Sequence, residues 1–442
     1  MLIVAIACNA AKRPRMKKII ESVAEHPAVA HLGPGLITGA ADDDPSGIAT
    51  YSQAGAQFGF NMLWTVVFTY PLMVGIQMVS ARLGCITGKG LAANVRDHFP
   101  LWVLYAIVGL LLLANTINIA ADIAAMAEAL HLIVGGATHI YSVTFGLLCL
   151  VLQVFVPYEN YVRYLKWLTL ALLSYVAVLF TIDVPWTQVL AGALLPQLTW
   201  DNATITMVVA VFGTTISPYL FFWQAAQEME DLRRANAAGE RTAATPLPHD
   251  EARRHLRRIK WDTVVGMGFS NLVAFFIILS TAATLHASGI TNIQTSAQAA
   301  EALRPLAGEA TFLLFSLGII GTGLLAVPVL AGSAAYAVAE AFDWRTGLDL
   351  KPNEGRRFYS IISAATIGGV ILGFLPIDPM KQLFYSAVIN GVIAVPIMGV
   401  MMILGTREAV MGSYAIGKRL RWLGWLATLV MAIAVVAMFA SI

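Results

Sequence analysis

The sequence predicts an all-α polytopic membrane protein of about eleven transmembrane helices. Three observations predict it. The first is composition: the 442 residues are 58% hydrophobic and 12% charged, with a mean hydropathy of +0.72. A soluble domain is about one quarter charged, so lipid must solvate much of this surface. The second is length, because apolar stretches repeatedly reach the roughly 20 residues that a crossing helix needs. The third is the distribution of Lys and Arg, which alternates from loop to loop.

Clean spans fall at about 62–83, 101–130, 140–157, 164–183, 204–228, 262–285, 311–341, 358–375, 382–404 and 422–442. The eleventh, 33–60, contains Asp42, Asp43 and Asp44 in a row, and hydropathy alone rejects it. Loop charge reinstates it. With the N-terminus inside and 33–60 counted as a span, 26 of the 28 basic residues fall on the cytoplasmic side; only Arg304 and Lys381 do not. Without that span the basic tail and the basic 82–96 loop lie on opposite faces, and the alternation collapses.

The division that follows is a cytoplasmic tail over 1–32, a membrane core over 33–404, and a last loop and helix over 405–442. Within the core, one five-span repeat covers about 33–183 and a second about 204–404. The N-terminus is cytoplasmic and the C-terminus outside, in the inner membrane if the source is bacterial. Met1–Cys8 is too short an apolar run for a signal-peptide core. The stretch 229–261 reads as a polar, solvated cytoplasmic connector and 286–310 as a second long loop. A net charge of +2 gives no sign of nucleic-acid binding. Cys8, Cys85 and Cys149 are scattered and read as free thiols with no zinc site. Nothing calls for a cofactor, and nothing sets an oligomeric state.

Ionisable groups within a membrane are costly and mark function by default. In Gly39-Ala40-Ala41-Asp42-Asp43-Asp44-Pro45-Ser46-Gly47, Pro45 removes a backbone donor and disfavours helix at Asp44. The span is expected to unwind there, and unwound backbone at membrane depth must be buried in protein or line a cavity. Asp44, at the break, is the best cation ligand; Asp42 and Asp43 are expected to face an aqueous vestibule and draw cations in. A second interruption, Gly213-Thr214-Thr215-Ile216-Ser217-Pro218-Tyr219, lies five spans later. Two broken helices at matching places of two halves form the inverted-repeat pattern, with substrate held between them. Asp122 is a further buried acid, for a proton relay or an ion pair, with a structural hydrogen bond as the alternative. Glu128 is expected nearer the outer end and solvated. Asn390 could offer an amide oxygen or line a gate, or simply bond between helices.

At these residues the chain resembles the Nramp divalent-metal transporters, whose fold is of the LeuT type. The family's Asp-Pro-Gly-Asn run corresponds to Asp44-Pro45-Ser46-Gly47, followed by Ala54-Gly55-Ala56-Gln57-Phe58-Gly59. Ser80 through Ala92 is similar to the run after the family's second helix, and Asp122 matches an acid of its third. The sixth-helix motif corresponds to Thr214-Thr215-Ile216-Ser217-Pro218-Tyr219. The resemblance covers about 33–404 and implies eleven helices in an inverted 5+5 repeat plus one, with helices 1 and 6 broken.

It also implies the ligand set: the Asp44 carboxylate, the backbone carbonyls of Ala41 and Thr214, and positions 47 and 217. The family's Asn is Gly47 here, which opens the site, and its Met is Ser217. Loss of a soft thioether favours hard cations, and Mg²⁺ usually keeps several waters. The chain is therefore similar to the family's Nramp-related magnesium transporter branch. Chiefly Mg²⁺, with Mn²⁺ as a companion, is the expected cargo. The family's sixth-helix His positions are Tyr219 and Gln224, so weak or absent proton coupling is expected. Tyr219, Gln224 and Asn390 would surround the ligands. The alternatives are proton- or sodium-coupled transport of transition metals or a cationic organic solute, a membrane-embedded aspartyl enzyme, and a transport-dead sensor. Adjacent Asp43 and Asp44 fit a two-carboxylate hydrolase poorly.

Overall fold

A computed structural model describes residues 34–156, 171–196, 199–235 and 249–441. The expected tail over 1–32 lies outside them. Every regular element among the described residues is helical. Each crossing helix satisfies its own backbone groups, which is the condition for entering lipid.

The first span is two helices, α1 (Pro34–Asp42) and α2 (Pro45–Phe58). Asp44 is extended between them (φ −71°, ψ 169°) and caps α2, with Pro45 in its first turn. Gly59 at φ +60° turns the chain through a short 3₁₀ segment into α3 (Leu63–Thr87). There follow α4 (Leu91–His98), α5 (Leu101–Val134), α6 (Thr138–Phe155), α7 (Leu173–Val178) and α8 (Trp186–Leu194). The sixth span is again two helices, α9 (Asn202–Thr215) and α10 (Pro218–Ala235), parted at Ile216 and Ser217. The remainder is α11 (His249–Thr281), α12 (Thr311–Ala341), α13 (Arg356–Leu372), α14 (Pro379–Thr406) and α15 (Lys418–Ala440).

Eight helical runs among the described residues are long and apolar enough to cross a membrane. The sequence predicts about eleven, and three segments account for the difference. The first span is split at Asp44, and its second half runs on into α3. The fifth, expected over 164–183, lies partly outside the described residues. The ninth, α13, has 17 residues.

Two loop expectations are corrected. The described parts of the connector 229–261 are helical: α10 extends to Ala235 and α11 starts at His249. Acid–arginine pairs hold those extensions: Arg258 bridges Glu228 (2.5 Å) and Asp231 (3.1 Å). The 286–310 loop holds short helical turns between Ser296 and Ala310. Helix α4 was not expected at all; it is docked by the Glu340 carboxylate, which accepts from the Ala93 N–H at 3.2 Å.

The broken helices pack with α3 and α11, while α5, α6, α12 and α13 pack on one another. Small residues permit the closest approaches. A Cβ on Gly39 would sit 2.2 Å from the Gly266 carbonyl oxygen, and one on Gly213 would sit 2.0 Å from that of Ala387. These contacts fix α1 against α11 and α9 against α14, and so set where the two breaks face each other.

Candidate metal site

The two breaks meet. A Cβ on Gly47 would lie 3.1 Å from Thr214 Oγ1 and 3.3 Å from the Tyr51 ring. The room that Gly47 was expected to open is therefore filled by Thr214 and Tyr51 in this conformation.

Asp44 is buried, with 2% exposure. Its Oδ1 accepts from Ser46 Oγ and from the Gly47 N–H, both at 2.7 Å, and its Oδ2 accepts from Asn118 Nδ2 at 3.1 Å. The first two bonds form the helix cap. The third comes from α5, a contact that no local sequence rule specifies.

Asp42 and Asp43 were expected to face an aqueous vestibule or to lie just behind the ligands, and the structure buries both. They are 0% and 2% exposed. The reason is Ser270 on α11, whose hydroxyl lies 2.7 Å from Asp42 Oδ2 and 3.0 Å from Asp43 Oδ1. A hydroxyl has one proton to donate, so it serves one carboxylate at a time. The other Asp42 oxygen has no hydrogen-bond partner among the described residues.

The expected carbonyl ligands are present and engaged. Ala41 O accepts from Tyr219 OH at 2.9 Å. Thr214 O accepts from Ser217 Oγ at 2.8 Å, and Gly213 O lies 3.0 Å from the same hydroxyl. A carbonyl has two lone pairs, so each keeps acceptor capacity. Gln224 stands further along α10, accepting from Gln77 at 2.6 Å and donating to Thr263 at 3.2 Å. Asn390 on α14 is buried, and its Nδ2 has no hydrogen-bond partner among the described residues. Its neighbour Gly391 packs on Gly213.

Asp122 is fully buried. The Ser46 N–H faces it, but neither carboxylate oxygen makes a well-formed hydrogen bond. Glu128 is corrected: it is half-buried, and accepts from the Ser296 N–H at 3.3 Å. Cys85 and Cys149 are free thiols, while Cys8 lies outside the described residues.

Among the described residues no three His, Cys, Asp or Glu side chains converge as a metal cage. None of Asp42, Asp43, Asp44 and Asp122 has an Arg, Lys or His ion-pair partner there. The arrangement is a set of buried oxygens, several of them carboxylate, without a fixed counter-charge. A buried carboxyl is accommodated by a paired charge, by a bound cation or by keeping its proton. Sequence reasoning missed Asn118 and Ser270. Asn118 carried a signal, since it lies four residues before Asp122 on one helix face.

A family model described as natural resistance-associated macrophage protein-like, Nramp, matches residues 35–441. The divalent metal cation transporter MntH of Acidiphilium cryptum is 28% identical over 395 residues, 87% of this chain and 84% of that protein. A manganese transporter of Eremococcus coleocola superposes with a TM-score of 0.71 at 17% identity, covering 92% of this chain and 86% of that one. Mhp1, a nucleobase-cation-symport-1 family transporter, gives a TM-score of 0.55 at 13% identity, over 93% of this chain and 92% of the other. The fold is thus the LeuT type, with helices 1 and 6 discontinuous, and the molecule is a multi-pass membrane transporter rather than an enzyme. It belongs to the Nramp family.

Proposed function

We propose that this chain moves divalent metal ions across the membrane by alternating access, chiefly Mg²⁺ with Mn²⁺ as a companion. One observation carries the reading: four carboxylates lie buried at and beside the breaks without an ion-pair partner among the described residues. A divalent cargo would balance two such charges, and an acid that keeps its proton needs no partner. The names of its relatives support a divalent metal as the class.

The preference for Mg²⁺ rests on donor chemistry. Asp44, the carbonyls of Ala41 and Thr214, and the Ser217 hydroxyl are all hard oxygen donors. Mg²⁺ gives up its waters reluctantly, so a partly hydrated ion suits a site with a single clear carboxylate ligand. Tyr219 and Gln224 bring no imidazole, and weak or absent proton coupling follows. The membrane potential alone supplies roughly 4–5 kcal/mol per divalent ion per 100 mV. The N-terminus lies on the cytoplasmic side and the C-terminus outside, with repeats over about 33–183 and 204–404.

Proteoliposomes loaded with a Mg²⁺-sensitive dye test the reading. Saturable Mg²⁺ uptake, lost in Asp44→Ala and accompanied by little lumenal acidification, is the expected result. Uptake of Mn²⁺ alone would return the site to transition metals. Stoichiometric acidification would overturn the coupling.

A further inference from the structure

The first break, from Asp42 to Ile48, carries carboxylates, a hydroxyl and backbone groups but no side-chain amide. Asn118 on α5 brings one to it. Its side chain is fully buried. Its Nδ2 donates to Asp44 Oδ2 at 3.1 Å, while its Oδ1 has no hydrogen-bond partner among the described residues.

That placement is informative. A buried amide oxygen without a donor costs free energy, and such atoms are uncommon in folded proteins. A carboxylate accepting from one end of a planar amide sets the other end beside whatever that carboxylate binds. Acceptors without a hydrogen-bond partner among the described residues thus stand on one face of α5, Asn118 Oδ1 and, four residues on, both oxygens of Asp122, while Asp44 Oδ2 is held by the Asn118 amide. A group of acceptors is complete only with a donor or a cation among them. Because Asn118 Oδ1 extends from α5 and not from the broken helices, it is suited to the outer shell of a hydrated ion.

We propose that Asn118 is a specificity-determining residue of the ion site. Its Nδ2 positions Asp44, and its Oδ1 accepts from the ion's coordinated water. This rests on the reading of the helix breaks as a divalent-cation site. An ion that keeps its waters gains most from such an acceptor, so Asn118 favours Mg²⁺ over the more readily dehydrated Mn²⁺.

The test measures Mg²⁺ and Mn²⁺ uptake kinetics in proteoliposomes for the wild type, Asn118→Leu and Asn118→Ser, with thermal stability followed in parallel. Asn118→Leu is expected to raise the Mg²⁺ KM about tenfold, a change equal to ~1.4 kcal/mol, and the Mn²⁺ KM by clearly less. Asn118→Ser keeps a shorter donor and acceptor, and shifts the ratio the same way to a smaller extent. Should the leucine variant fail to fold, the serine variant decides. An unchanged Mg²⁺-to-Mn²⁺ ratio in a folded variant overturns the assignment. So does an equal loss for both ions that follows a fall in Tm, because that is the mark of a structural role. Wild-type uptake with an unchanged ratio sinks the Asn118 assignment alone. A wild type that moves neither ion sinks the underlying reading with it.

Discussion

Two groups of buried carboxylates occur in this chain, and their surroundings differ. At the basic rim each acid has a fixed partner. Glu228 meets Arg258 at 2.5 Å. Glu230 accepts from the Tyr336 hydroxyl and from the Leu348 N–H. Asp262 accepts from the Gly35 N–H at 2.6 Å. At the helix breaks, Asp42 and Asp43 share one hydroxyl, Asp44 accepts from Ser46, Gly47 and Asn118, Asp122 makes no well-formed hydrogen bond among the described residues, and none of the four meets an Arg, Lys or His there. Burial alone therefore does not mark a transport site. The rim acids are matched by the protein and fasten helices together. The acids at the breaks have no basic partner among the described residues, and a proton or an arriving cation would neutralise them.

Substitutions can break or sharpen this contrast. The largest effect is expected at Asp44→Asn. Asparagine still caps α2, so the fold survives, but the charge is lost. Uptake should fall by at least about a hundredfold, equal to ~3 kcal/mol, with Tm nearly unchanged. Glu228→Ala should do the reverse. It strips Arg258 of its nearer partner and should cost on the order of 2 kcal/mol of stability, read as a lower Tm, while the Mg²⁺ KM stays within about twofold, equal to ~0.4 kcal/mol. Ser217→Met replaces a hard donor with a soft one and should move uptake toward Mn²⁺ in a competition assay.

The smallest effect is expected at Asp201→Ala. Hydrogen bonds from Thr199 and Thr204 hold the Asp201 carboxyl down at about 2, and its side chain caps α9 through the Thr204 N–H. A depressed value stabilises the fold above the ordinary Asp range, and the benefit is lost as pH falls through about 2. The variant should melt slightly earlier at neutral pH, and the gap should close in acid.

Much of this was legible in the sequence because lipid imposes strict rules. Asp42–Asp44 within a span, Pro45 behind them, and Pro218 five spans later located both breaks to within a residue or two. The alternation of Lys and Arg kept the Asp-bearing span in the membrane when hydropathy would have dropped it. What was not legible depended on neighbours distant in the chain. Nothing in Gly268-Phe269-Ser270-Asn271 places Ser270 against Asp42, so the two acids were expected to face water. Gly47 implied space, which Thr214 and Tyr51 occupy. Asn118 stood in helical register with Asp122 and could have been found from spacing alone.

On the proposed function, the acids at the helix breaks hold a divalent ion and the rim acids do not. Calorimetric titration of Mg²⁺ into purified wild type, Asp44→Asn and Glu228→Ala tests it most directly. Saturable binding to the wild type and to Glu228→Ala, with none to Asp44→Asn, is the expected result. Binding to Asp44→Asn at wild-type affinity would contradict it.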